Sequence, residues 1–394
     1  MIGVSKLYCG AVEASDPLRY VRMSKDLPSH LLHFSKDKKP VVVWNVTQRC
    51  NLKCVHCYSH SENKNYSSEL TTEDGIRLLD NLVSFGSPVV LFSGGEPLIR
   101  PDILKLIRHA TASGMRAVLS TNGTLIDESM AGELKDIGLS YVGISLDGLK
   151  KVHDSFRGVE GTFERVLKAI ANCKAVGLKV GLRFTINKRN YKEIDGVFNL
   201  LEQQQVPRIC FYHLVYAGRG ADLMNEDLDH HQTREVVDLI IDRTSILHNK
   251  GMAVEVLTVD NHADGPYVYL RLTRENPERA KQALELLRMN EGNNSGRGIG
   301  CVSWDGAVHA DQFWRHHSFG NVRNRPFSEI WTDPNDELLQ KLKHKKDFVT
   351  GRCASCKWLD ICGGNFRVRA EAALGDLWAP DPACYLNDEE IGLI

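Results

Sequence analysis

The chain has no excess of charge of either sign: 49 Lys and Arg face 50 Asp and Glu over 394 residues, a net charge of -1. Nothing in that balance draws phosphate backbones or anionic lipid, so nucleic acid is a poor expectation as a partner. No apolar run approaches the roughly 18 residues of a membrane span, and Met1 to Gly10 has no apolar core of signal-peptide length. Both absences predict a cytoplasmic protein with no membrane partner. Cysteine is scarce for a disulfide scaffold: eleven residues, about 3% of the chain, against roughly 8–10% in small cross-linked domains. An odd number cannot pair off completely within one chain. Hydrophobic residues make up 42%, enough for two or three ordinary cores, which excludes a disordered or fibrous chain.

In a reducing compartment, cysteines at short spacings are metal ligands or redox groups more often than disulfides. Here they fall into two clusters and four strays.

Between Val41 and Leu214 short β-rich runs alternate with longer amphipathic segments. Strands are expected at Val41–Val46, Val89–Phe92, Ala117–Ser120, Tyr141–Ser145, Lys179–Thr185 and Arg208–Leu214. Helices are expected at Thr72–Phe85, Pro101–Ser113, Asp127–Ile137, Thr162–Val176 and Tyr191–Gln204. This alternation predicts βαβ units and a parallel sheet. The Thr71 start carries a capping signal, and Gly114, Gly138 and Gly177 each follow a helix where a left-handed residue is needed. An open barrel and a doubly wound sheet fit this periodicity equally.

Residues 1–39 read as an N-terminal extension, with Ser35-Lys36-Asp37-Lys38-Lys39-Pro40 a surface connection into the first strand. Residues 40–215 form the βα unit and 216–294 a charged, helical connecting region, with clear amphipathic segments at Thr233–Asn249 and Pro277–Asn290. Residues 295–394 hold five cysteines and are expected to be a small unit held by metal.

Cys50, Cys54 and Cys57 follow the first strand with spacing Cys-x-x-x-Cys-x-x-Cys. Three thiolates leave one iron of a four-iron cluster open to a small molecule, unlike the four of an electron-transfer ferredoxin. A zinc site with His56 or His60 as fourth ligand is the competing possibility. With Tyr58 next to Cys57, the pattern resembles the signature of the radical S-adenosylmethionine (SAM) superfamily. Further motifs of that family stand at the following strand ends: Ser93-Gly94-Gly95-Glu96-Pro97, Ser120-Thr121-Asn122-Gly123 and Ser145-Leu146-Asp147-Gly148.

The resemblance implies a partial (β/α)6 TIM-type radical SAM barrel, binding SAM and a 4Fe-4S cluster with one open iron. It implies that the Gly94-Gly95-Glu96 backbone and carboxylate hold the cofactor's amino group, that Asn122 and Ser145 contact its ribose or carboxylate, and that Arg183 pairs its carboxylate. Tyr58 is implied in the same site. Glycine suits a backbone that approaches a ligand closely, and a buried arginine requires an anionic partner.

Cys353, Cys356, Cys362 and Cys384 form a second set, suited by spacing to either zinc or a closed iron–sulfur cluster. The segment resembles the SPASM (or twitch-like) auxiliary iron–sulfur domain. The full form of that domain has seven cysteines for two clusters. Phe366 and Asp311 stand where further cysteines are expected, which implies one auxiliary 4Fe-4S cluster. Cys173 and Cys210 read as buried small hydrophobes; Cys9 and Cys301 are left without a role.

Ser5 to Gly10 with Ser15 to Tyr20, and Cys362 to Ala370 with Ala379 to Leu386, resemble the didecarboxysiroheme deacetylases of siroheme-dependent haem synthesis. That family implies an iron tetrapyrrole substrate (didecarboxysiroheme), loss of its two acetate side chains, and an external electron donor. Removal of propionates toward the d-type haem, or modification of a peptide, are the alternatives. A flat polyanion requires cations and apolar walls. Arg315, Arg367 and Arg369 are the first candidates for its carboxylates, with Arg297, Arg323 and Arg325 behind them. Tyr8, Phe313 and Trp314 are candidate walls, and His309, His316 and His317 candidate iron ligands.

Overall fold

A computed structural model describes residues 1–12 and 39–394. Ser15 to Tyr20, and Ser35 to Lys38 of the charged connection, lie outside the described residues.

One open sheet of eleven strands organises the chain: β1 (Ile2–Gly3), β2 (Val41–Thr47), β3 (Val89–Gly94), β4 (Arg116–Thr121), β5 (Tyr141–Ser145), β6 (Val180–Ile186), β7 (Arg208–His213), β8 (Glu255–Val259), β9 (Ile299–Val302), β10 (Ala307–His309) and β11 (Gly320–Asn321). Their spatial order is β1-β8-β7-β6-β5-β4-β3-β2-β9-β10-β11. From β2 to β8 every neighbouring pair is parallel, and β9 adds in parallel to the other side of β2. All of these strands therefore present their C-terminal ends on one side. The strands at the two margins are antiparallel.

The expected strands and helices of residues 41–214 are present to within a few residues. Parallel strands covered on both faces are apolar almost throughout, and β2 is buried from Val42 to Thr47. The first helix, α1 (Thr72–Phe85), starts with a capping box between Thr71 and Asp74. Gly114, Gly138 and Gly177 all have positive φ, as a left-handed helix stop requires.

Three elements escape the periodicity. Helix α2 (Lys150–Arg157) follows β5 directly. Strand β8 lies inside the region expected to be helical, and helix α3 (Asp264–Glu275) follows it. All five residues of β8 are buried, so the strand has none of the alternation that would betray it. The N-terminal residues are also more than an extension: Ile2 and Gly3 pair with β8, and Val4 and Leu7 are fully buried.

After β9 the chain makes the β10–β11 hairpin and a set of short helices. Cys353 and Cys362 sit in single-turn helices at Gly351–Ala354 and Leu359–Cys362. No helix among the described residues is long and apolar enough to cross a membrane.

Candidate active site

The loop after β2 carries Cys50, Cys54 and Cys57 across the C-terminal ends of the strands. Its path is set by backbone contacts with the Gly-Gly motif: Gly95 N donates to Thr47 O at 2.8 Å and Glu96 N to Arg49 O at 2.8 Å. A Cβ on Gly94 would lie 2.3 Å from Thr47 O, and one on Gly95 2.2 Å from Arg49 O. The glycines are thus required first by the close approach of the cysteine loop, whatever else the motif binds.

Each of the three sulfurs accepts a hydrogen bond: Cys50 from Leu52 N at 3.4 Å, Cys54 from Arg157 Nη1 at 3.4 Å and Cys57 from Ser61 N at 3.5 Å. Arg157 sits on α2 and also pairs with Asp147. Arg219, from the loop after β7, donates to Cys54 O at 2.8 Å and to Ser61 O at 3.0 Å. Burial, and then the charge of Glu96, push the Cys50 thiol up to about 12. Burial also raises Cys54 against the opposing pull of Arg157. For Cys57 burial is outweighed by hydrogen bonds from Ser59 and Ser61 and by Arg219, and the thiol falls below its ordinary value.

A tetrahedral zinc ion with Zn–S bonds of about 2.3 Å holds its sulfurs roughly 3.8 Å apart. Among the described residues no three cysteine sulfurs lie within 4.8 Å of one another, and neither His56 nor His60 joins them in such a group. Burial holds His56 as a neutral ring with a pKa of about 4. The three thiols therefore do not form a ready-made single-ion zinc site among the described residues.

Cys50, Cys54, Cys57, Tyr58, Gly94, Gly95, Asn122, Ser145 and Arg183 all line one cavity at the strand ends. Tyr58 is anchored by its hydroxyl to Asn45 at 3.0 Å and Ser93 at 3.1 Å. Arg183 is half-buried on β6, with Nη1 donating to Ser120 Oγ at 3.0 Å and Nε without a partner. No carboxylate among the described residues lies within 4 Å of it. Gly143 leaves its space: a Cβ there would lie 2.4 Å from Arg183 Nε. A buried cation facing a cavity without an anion fits a ligand carboxylate.

Glu96 is placed differently from the expectation. It is fully buried, accepting from Thr121 Oγ1 at 2.7 Å, Asn122 N at 2.8 Å and Leu98 N at 3.1 Å. Its carboxylate therefore ties the end of β3 to the end of β4. The Asn122 side chain spans Asn51 and Thr124 at the cavity edge.

The four C-terminal cysteines also gather. Burial raises Cys362 well above its ordinary value, and the charges of Cys384, Cys353 and Cys356 add to the effect. No three of their sulfurs lie within 4.8 Å of one another. Phe366 is buried against Phe313, ring centroids 5.6 Å apart, and Asp311 accepts from Phe313 N at 2.8 Å. Both positions are structural, and the set of four suits one cluster. Cys173, Cys210 and Cys301 are buried, and Cys301 accepts from Asn45 Nδ2 at 3.5 Å.

The substrate candidates need correction. Arg369 is fully buried, donating to Leu214 O at 3.0 Å, Asp260 O at 2.8 Å and Asp381 Oδ2 at 2.9 Å. Arg367 donates to the carbonyls of Gly364, Ala379 and Leu377. Neither lines the cavity; their donors hold the C-terminal segment together and to the barrel. Arg315 bonds Ser59 O at 2.9 Å and stacks 4.0 Å from the Trp304 ring centroid, so it supports the cysteine loop instead of facing the cavity. Arg297, Arg323 and Arg325 are likewise engaged by the protein. Tyr8 bonds Glu275, away from the cavity. Of the proposed walls only Phe313 lines it. His309 is taken by Ser303 and His317 O, and His316 and His317 both meet Glu371.

The cavity instead exposes Arg157, Arg219, Tyr212, His213 and Asp260, none of which belongs to a recognisable motif. Arg157 was legible only once α2 is placed, and Asp260 only once β8 is.

The Radical SAM superfamily pattern matches residues 44–201, and an iron–sulfur cluster-binding domain, SPASM, matches residues 295–357. The chain is 65% identical to Fe-coproporphyrin III synthase of Methanosarcina barkeri, covering 100% of this chain and 99% of the relative. It is 42% identical to pre-heme d1 synthase of Dinoroseobacter shibae, covering 90% and 88%. Among solved structures, native anSMEcpe with bound AdoMet superposes with a TM-score of 0.68 at 21% identity, over 88% of this chain and 94% of that one, which shows the shared fold. The chain belongs to the radical SAM superfamily, as a member with a C-terminal iron–sulfur cluster-binding domain.

Proposed function

We propose that this radical SAM enzyme of haem synthesis removes the two acetate side chains of didecarboxysiroheme, leaving methyl groups and giving iron-coproporphyrin III. The observation that carries this is the end-to-end 65% identity to Fe-coproporphyrin III synthase. Cys50, Cys54 and Cys57 would hold a 4Fe-4S cluster which, with SAM bound beside it, would supply the radical hydrogen-abstraction chemistry.

The chain's own residues do the rest. Cys50, Cys54 and Cys57 hold the cluster with one iron open, and Arg157 and Arg219 fix the loop that carries them. Arg183 receives the carboxylate of SAM, beside Gly94, Gly95, Asn122 and Ser145. Glu96 acts from behind by holding the ends of β3 and β4 in register. Tyr58 and Phe313, 5.2 Å apart between ring centroids, give the cavity an apolar wall on the side of the C-terminal domain. Cys353, Cys356, Cys362 and Cys384 hold one auxiliary 4Fe-4S cluster, and an external one-electron donor reduces the enzyme.

Anaerobic incubation with didecarboxysiroheme, SAM and a reductant, followed by mass spectrometry, tests this. Loss of two acetate groups with formation of deoxyadenosine is expected. Altered propionates with intact acetates would place the enzyme instead with the pre-heme d1 synthases.

A further inference from the structure

Asp260 is the first residue after β8, so it stands at the C-terminal end of the last parallel strand on that side of the barrel. Three features set it apart. Its φ is +66°, a left-handed conformation that a residue with a side chain adopts at a cost. It is 6% exposed and lines the same cavity as the cluster cysteines. Its Oδ2 has no hydrogen-bond partner, and no cationic nitrogen among the described residues lies within 4 Å of its carboxyl group. A buried carboxyl oxygen left unmatched in a strained backbone is costly unless a ligand completes it.

The backbone of Asp260 is held in place by Arg369, whose Nη2 donates to Asp260 O at 2.8 Å. The same arginine also pairs with Asp381 at 2.9 Å and so cannot be turned toward the carboxyl group. The charged and titratable groups facing Asp260 are Arg369, the Met1 amino group, Asp311 and His213, with Tyr212 beside it. Burial dominates over the pull of Arg369 and lifts the acid to about 7. The group therefore carries its proton through much of the neutral range and has an O–H to give.

The residues implied for SAM lie on or next to β3, β4, β5 and β6, whereas Asp260 caps β8. A neutral carboxyl group with a free oxygen has an O–H to offer an acceptor, and the substrate proposed above brings carboxylates. We propose that Asp260 is a substrate-contacting, specificity-determining residue whose free Oδ2 meets the carboxylate of an acetate side chain across a shared hydrogen. The contact selects macrocycles that still carry acetate and releases those that have lost it. It rests on the acetate-removing function proposed above.

The test uses the reconstituted enzyme with SAM bound, as wild type, Asp260→Asn and Asp260→Ala. Each is titrated with didecarboxysiroheme and with iron-coproporphyrin III, followed by tetrapyrrole absorbance. Asp260→Ala should bind the acetate-bearing macrocycle about ten- to a hundredfold more weakly, the loss expected for a hydrogen bond to a charged group. Its affinity for the acetate-free product should stay within about threefold of wild type by the same reckoning. Asp260→Asn, which keeps an N–H donor, should retain most of the affinity. Wild-type affinity for didecarboxysiroheme should fall as the pH rises through about 7, where the shared proton is lost, and the Asn variant should lack that dependence. SAM affinity should be unchanged in all three. Equal losses for both macrocycles, or weakened SAM binding with unchanged tetrapyrrole binding, would overturn the assignment. Wild type serves as the separate control: if it binds didecarboxysiroheme but removes no acetate, the functional proposal fails whatever the variants do.

Discussion

Arg157 Nη1 donates to the sulfur of Cys54 at 3.4 Å, while another nitrogen of the same guanidinium pairs with Asp147. Asp147 is fully buried and also accepts from Thr185 N at 2.9 Å, so a single arginine links the cysteine loop to the ends of β5 and β6.

Replacing Arg157 by Met should therefore harm the site in two ways. It leaves Asp147 buried without its cation, a loss of about 3–5 kcal/mol. It also removes a positive charge beside Cys54, which should lower the cluster's reduction potential. Iron content, the cluster's potential and deoxyadenosine yield should all fall together. Full iron loading with an unchanged potential would count against the role.

Arg183 predicts the opposite balance of stability and binding. It has no carboxylate partner within the described protein, so Arg183→Met should leave the melting temperature unchanged or raise it. SAM affinity, measured calorimetrically on the reconstituted enzyme, should drop by about ten- to a hundredfold.

Gly95→Ala should act first on the loop. The added Cβ would meet Arg49 O at 2.2 Å, a backbone atom that cannot swing aside. The variant should fold, with its far-ultraviolet circular dichroism preserved, yet hold markedly less iron in the three-cysteine site after reconstitution.

Arg369→Met should act through folding, and on substrate only through the position of Asp260. It strands Asp381, which is 2% exposed, and removes bonds to Leu214 and Asp260. A loss of about 3–5 kcal/mol is expected, seen as a lower Tm and a lower denaturant midpoint. The C-terminal domain should loosen from the barrel, detectable as earlier hydrogen exchange around Leu214.

His153 predicts a pH dependence. Its Nδ1 accepts from Asp147 N at 3.1 Å, which requires a neutral ring, and burial brings its pKa down to about 4. An unfolded histidine titrates near 6.5. Between these values the unfolded chain binds the extra proton, so stability is complete above about 6.5 and is lost as the pH falls toward 4. The loss reaches at most about 3 kcal/mol. Denaturant midpoints across this window should slope for wild type and less steeply, by about one proton's share, in His153→Gln, because His56 and His262 are depressed by burial as well.

The βα alternation was legible from Val41 to Leu214 because parallel strands and their covering helices write two different periodicities, and because Thr71 and the glycines mark the helix ends. That the strands form a partial barrel came from the family motifs and not from the periodicity. Strand β8 was not, since a strand buried on both faces offers five residues without alternation. The cysteine sets were legible because most of their members stand at short sequence spacings, and the structure brings each set together. Of the arginines only Arg183 was legible, through the family resemblance. The six considered for a polyanion are spent by the fold on carbonyls and carboxylates, and Arg157 and Arg219, which no motif marks, join Arg183 at the cavity.

The sequence by itself determined the two sets of cysteines, the strand-end motifs and the alternation that builds a parallel sheet, because each is a local pattern set by ligand spacing or backbone period. Beyond Tyr58, Asn122, Ser145 and Arg183, only the tertiary structure decided which polar side chains face the cavity. A buried charge is defined by what surrounds it, and the partners of Arg369, Glu96 and Asp260 come from parts of the chain far apart in sequence. Only their packing shows that the first two are satisfied and that the third still has an oxygen to offer.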